Sequence, residues 1–108
     1  MATVELNGAV IVDATTFHAE SRRAFGFPEF YGASMDAWID CLSYLRDDDG
    51  MASVRLQSDE ILTIVVRDSA AWRLADAELL DEVTFCVAMI NERYADYGEK
   101  PALLLKLS

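Results

Sequence analysis

Apolar and polar positions alternate along the chain in two rhythms, one suited to short strands and one to helices. Residues 4–6 read as a short strand that stops at Asn7-Gly8, a strong turn dipeptide. Residues 9–12 are extended again and either pair back as a hairpin or lead onward. Asp13 or Thr15 caps a helix to about Phe25, with Phe17, Ala24 and Phe25 near one face. Gly26 ends it and Pro28 confirms the break. After a compact loop, Ser34 is the N-cap of a second helix running to about Leu45. Its core stripe is Trp38, Cys41, Leu42 and Leu45, at helical spacing.

A charged break, Asp47-Asp48-Asp49-Gly50, follows. Residues 53–57 alternate Val54 and Leu56 with polar neighbours and predict a short edge strand. Residues 61–66 are nearly all apolar and β-branched, as in a strand covered on both faces of a parallel sheet. A helical turn is expected within residues 67–73. Asp76 then caps a long helix to about Tyr97, with Glu78, Asp81 and Glu82 near its positive end. Leu79, Val83, Cys86, Val87, Ile90, Tyr94 and Tyr97 form its apolar stripe. Gly98 and Pro101 close it, and residues 102–107 are a final strand. The order strand, helix, helix, strand, small helix, helix, strand implies an α/β fold. Its sheet has three parallel strands joined by right-handed crossovers and packed with about four helices, with one extra edge strand if residues 53–57 join. Residues 1–108 are read as a single domain.

Composition narrows the function. Hydrophobic residues are 53% of the chain, enough for a packed core, and 19 acidic against 9 basic residues leave a net charge of −10. Such a field disfavours nucleic acid and anionic membrane surfaces, both of which recruit Lys and Arg. It suits a basic protein partner, or serves solubility alone. Cys41 and Cys86 lie far apart in apolar segments without metal-ligand neighbours, so buried free thiols in a reducing compartment are expected. The first residues lack the features of a signal peptide, and no apolar run approaches a membrane span, which points to the cytoplasm. The single histidine, His18, sits beside Phe17 as a structural residue would. Phosphate-loop, HExxH and GxSxG patterns are absent. Neither an enzyme nor a cofactor or metal is indicated.

The informative stretch is the helix after Ser34. Asp36 and Asp40 are four residues apart and share a face. In an isolated helix that repulsion costs about 0.2–0.5 kcal/mol. The helix N-terminus relieves Asp36 but lies too far from Asp40. A solvated face screened by salt accounts for the pair; so does a cationic partner.

Residues 28–42, PEFYGASMDAWIDCL, resemble the signature of the barstar family, which reads approximately PEYYGxNxDAxxDCL. The likeness continues at lower stringency through Val4-Glu5-Leu6-Asn7-Gly8, His18 and the last strand. It lapses over residues 47–60, an insertion that adds acid. The resemblance implies a barstar-like fold and an intracellular inhibitor, or immunity protein, of a basic secreted ribonuclease or ribonuclease toxin domain. In this family the second helix and the preceding loop occlude the enzyme's active site, with carboxylates in place of RNA phosphates. Carried over, Asp40 is the central phosphate mimic and Asp36 binds the partner nearby. Phe30 packs on the partner's catalytic histidine, with Met35 beside it. Ser43 stands at a hydroxyl position near the interface, and Glu92 is nearest to an acidic contact of the last helix. Ile39 stands where the family has an interface aromatic, and Tyr44-Leu45 where its prototype has Gly-Trp; Ile39 and Tyr44 are counted with the contact residues. Tyr31 and Trp38 are expected to pack. A monomer is expected in the free state. The departures at Phe30, which lacks the phenolic hydroxyl usual at that position, and at Ile39 motivate an alternative: a regulatory module of the same fold with a non-nuclease partner.

Overall fold

A computed structural model describes residues 2–29, 31–46 and 53–108. The elements are β1 (Ala2–Asn7), a 3-10 turn (Gly8–Val10), α1 (Ala14–Phe25), α2 (Met35–Leu42), β2 (Leu62–Arg67), α3 (Ser69–Asp96) and β3 (Leu103–Leu107). The strands form one parallel sheet in the order β1-β2-β3, with Val4 opposite Ile64 and Ile64 opposite Leu105. This is the α/β architecture expected, with three α-helices and a 3-10 turn rather than about four helices.

The difference in helix number arises at Asp76. Its backbone leaves the helical region (φ −159°, ψ 81°) and its Oδ1 accepts from the Leu79 amide at 3.1 Å. Asp76 therefore caps the long segment as expected, but no loop intervenes. The short helix runs straight into the long one, and the two count as a single kinked α3.

Local chemistry sets the other boundaries. At the start of α1, Asp13 accepts from the Thr16 amide while Thr16 Oγ1 accepts from the Asp13 amide, a reciprocal cap. Gly26 ends the helix at φ 67°, and a side chain there would also collide with Ser53. Ser53 returns to this point: its amide donates to Phe25 O at 2.9 Å and its hydroxyl to Gly26 O. After β1, Asn7 caps the 3-10 turn and Ile11 enters the core, so residues 9–12 lead onward and form no hairpin. Gly8 is needed because any Cβ would strike the backbone oxygens of Arg67 and Asp68.

Two expectations about the sheet are corrected. The edge strand at residues 53–57 does not form; that segment is irregular, tied by Leu56 N–H to Leu45 O at 2.7 Å. The sheet is also fully covered on one face only. Leu62, Ile64 and Val66 are buried with Val4, Leu6 and Leu103, whereas Thr63 and Val65 are half-buried and Glu5, Arg67 and Lys106 face water. β-branched residues favour extended backbone even where burial is partial, so the apolar run overstated the covering. Phe17, Phe25, Trp38, Trp72, Leu80 and Ile90 fill the space between the sheet's inner face and the helices.

Candidate functional site

The loop before α2 is built from aromatic contacts. The Tyr31 amide donates to Pro28 O, and its ring lies 4.7 Å from that of Phe27. Its hydroxyl sits 2.6 Å from His18 Nδ1 on α1. Ala33 takes a left-handed conformation (φ 51°), unusual for a residue with a side chain and a mark of imposed geometry. It delivers the chain to Ser34, whose Oγ accepts from the Ala37 amide and starts α2.

Burial at His18, 6% exposed, pushes its pKa below the ordinary 6.5. The neutral ring is therefore the one that fits, and burial likewise raises the Tyr31 hydroxyl, keeping it protonated. Between the depressed folded value and 6.5 the unfolded chain binds a proton that the folded chain refuses, so stability rises with pH there. We predict that the urea midpoint is highest above pH 6.5 and falls as the pH drops through that value, and that His18→Gln flattens the dependence. Glu20, whose carboxylate is held below the ordinary 4.5 by Arg23, adds its own loss only in more acidic solution. A midpoint equally pH-sensitive in wild type and His18→Gln would contradict the assignment.

α2 sorts its residues by face. Trp38, Ile39, Cys41 and Leu42 are buried, and Asp36 and Asp40 are exposed. The two carboxylates are thus turned outward together. Asp40 is not bare: its Oδ1 accepts from Arg93 Nη1 on α3 at 3.2 Å, with the Asp40 side chain still 55% exposed. The same Arg93 nitrogen donates to Ser43 Oγ at 3.1 Å, and that hydroxyl donates to Ile39 O at 2.6 Å. Asp36 lies toward α3 farther along, close enough to help raise the thiol pKa of Cys86 after burial and Glu82. Burial, then Asp40, raises Cys41 as well, so both thiols are held protonated and unreactive.

The expected contact residues divide accordingly. Asp40, Ser43 and Tyr44 line one open cleft of about 700 Å³, shared with Arg93, Tyr94, Asp96, Tyr97 and Glu99 of the α3 end. Asp36 and Glu92 are exposed; Met35 is half-buried against the core. Ile39 is a correction: at 6% exposure it is a core residue with almost nothing to offer a partner. Helical spacing explains this, because Ile39 follows Trp38 around the inward face while Asp36 and Asp40 face out. Phe30 and Asp47 lie outside the described residues. On α3 the side chain touching Asp40 is Arg93 and not the neighbouring Glu92.

Sequence reasoning missed two residues that hold the site in place. α2 ends at Leu42, three residues early, because the Tyr94 hydroxyl donates to Leu42 O at 3.1 Å and accepts from the Leu45 amide at 3.0 Å. Arg46, with only 5% of its side chain exposed, donates to the carbonyls of Lys100, Glu60 and Pro101 and pairs with Glu99. Its guanidinium carbon lies 5.1 Å from the centre of the Tyr94 ring. Tyr94 was legible only as a core position, and nothing local marks Arg46. Among the described residues, no group of three or more His, Cys, Asp or Glu is placed to hold a metal, and no helix is long and apolar enough to cross a membrane.

Fold and site together define a small parallel α/β domain that holds a buttressed acidic helix out to solvent. The Barstar (barnase inhibitor) family model matches residues 1–106, and the chain belongs to that family. Members of the family bind ribonuclease as inhibitors rather than acting as enzymes. A search of curated proteins found no significant match.

Proposed function

We propose that this protein is an intracellular inhibitor, or immunity protein, of a basic ribonuclease or ribonuclease toxin domain, acting by occlusion rather than turnover. The observation that carries this reading is the outward placement of Asp36 and Asp40 on α2, within a chain that the barstar family model matches almost end to end. An enzyme that holds RNA must be cationic where the phosphates sit, so a rigid pair of carboxylates competes for the same groups. The net charge of −10 adds long-range attraction between the two proteins. Ser43, Tyr44 and Asp40 form one edge of the contact and Met35 and Asp36 the other; Phe30 joins the reading from the family resemblance alone. Glu92 extends the acid onto α3.

Capture from the native host tests the reading. Wild type should recover one basic ribonuclease and inhibit it, and Asp36→Ala/Asp40→Ala should lose both while still folding. Truncating one member of a desolvated charge pair costs about 2–5 kcal/mol of binding, whereas exposed helix positions change stability by under about 0.5 kcal/mol. Recovery of ribonuclease undiminished by the double substitution would refute it. The Arg93 pairing, which reduces the charge that Asp40 offers, favours a second reading: a regulatory module with a non-nuclease partner. In that case a different protein is captured with the same sensitivity to Asp40.

A further inference from the structure

Among the described residues, the charged groups on and beside the proposed contact are acidic but for Arg93, which sits against its central carboxylate. Arg93 Nη1 reaches both Asp40 Oδ1, at 3.2 Å, and Ser43 Oγ, at 3.1 Å. Ser43 is itself tied to the backbone of α2 through Ile39 O, so the guanidinium has a fixed seat. Both charged side chains stay about half exposed at the mouth of the cleft. Glu99, which lines the same cleft, is engaged with Arg46. Resting on the reading of α2 as the binding helix, we infer that Arg93 is a specificity-determining residue: it makes the site select a partner that sets a carboxylate beside the cation it brings to Asp40.

The physical reason lies in the change of surroundings on docking. In the free protein the Arg93–Asp40 pair is wet and weak, so opening or sharing it is easy. In a complex the screening water leaves, and a guanidinium or ammonium set against Asp40 comes within a few ångströms of Arg93. Two like charges then share one carboxylate at low dielectric. A partner offering only cations meets this repulsion. A partner that adds one acidic group completes an alternating array of charges, in which Arg93 exchanges an internal bond for an intermolecular one. Selectivity built this way needs a repulsive element as well as attractive ones, and Arg93 is the repulsive element.

The test compares inhibition constants of wild type, Arg93→Ala, Arg93→Glu, Asp40→Ala and Arg93→Ala/Asp40→Ala against the basic ribonuclease captured from the host. Arg93→Ala should bind at least ten times weaker than wild type and Arg93→Glu weaker still, although each change makes the protein more acidic. The loss caused by Arg93→Ala should shrink when Asp40→Ala is also present. Tighter or unchanged binding of Arg93→Ala or Arg93→Glu would overturn the inference. Failure of the underlying reading looks different: Asp40→Ala alone would then leave the captured complex intact, whatever Arg93 does. Far-UV circular dichroism melts should match across the set.

Discussion

Trp38→Ala is expected to lower folding stability by about 3–5 kcal/mol, measured as a fall in the urea midpoint at unchanged slope. Trp38 is 0% exposed and is the residue that seats α2 on α1. Its ring lies 5.7 Å from that of Phe17 and 6.3 Å, edge-on, from that of Phe25, both on α1. Its Nε1 donates to Ser21 Oγ at 3.2 Å, wholly inside the protein. Alanine removes the largest side chain of the helix–helix contact and leaves a buried serine hydroxyl without that donor. Both effects act in the same direction. Against a total of about 5–15 kcal/mol for a domain of this size, the loss leaves a marginal fold. Trp38→Phe should recover much of the packing but not the Ser21 bond, and so fall between. A midpoint for Trp38→Ala within experimental error of wild type would mean that α2 is not held by this contact.

Arg46→Met is expected to cost about 2–4 kcal/mol, since hydrogen bonds from a charged donor are worth about 1.5–3 kcal/mol each and water reaches some of the abandoned carbonyls. Methionine keeps the length of the side chain, so the loss reports the guanidinium and not a cavity. That group ties the end of α2 to the segments before β2 and β3, through Glu60, Lys100 and Pro101. Removing it also loosens the turn that carries Ser43 and Tyr44. Ribonuclease binding should therefore weaken in native buffer, where the variant remains folded. Amide exchange at Leu45, in the turn beside Arg46, and at Leu56, whose amide donates to Leu45 O, should speed up before that of the core strands. Exchange that quickens evenly over the whole chain would point to global destabilisation instead.

Much of this protein is legible without coordinates. Period-3.6 stripes and caps placed α1 and located α2 and the long part of α3. The apolar runs placed β2 and β3, and element order implied the parallel sheet. The loop-helix run of residues 28–42 named the family that the family model matches. Boundaries were legible where the stop signal is local, as at Asp13, Gly26 and Ser34. They were missed where the stop comes from elsewhere, as at Leu42, where a tyrosine 52 residues away takes the last carbonyl.

What the sequence determined by itself is the inward stripe of α1 and α2 and that Asp36 and Asp40 face the same way, because side-chain direction along a helix depends only on spacing. The tertiary structure alone decided what meets those faces. It left one side of the sheet only partly covered, set Arg93 rather than Glu92 against Asp40, and buried Arg46 as a tie between three segments. Each of these depends on groups brought together across the fold, and no local pattern of residues encodes a contact between positions 53 residues apart.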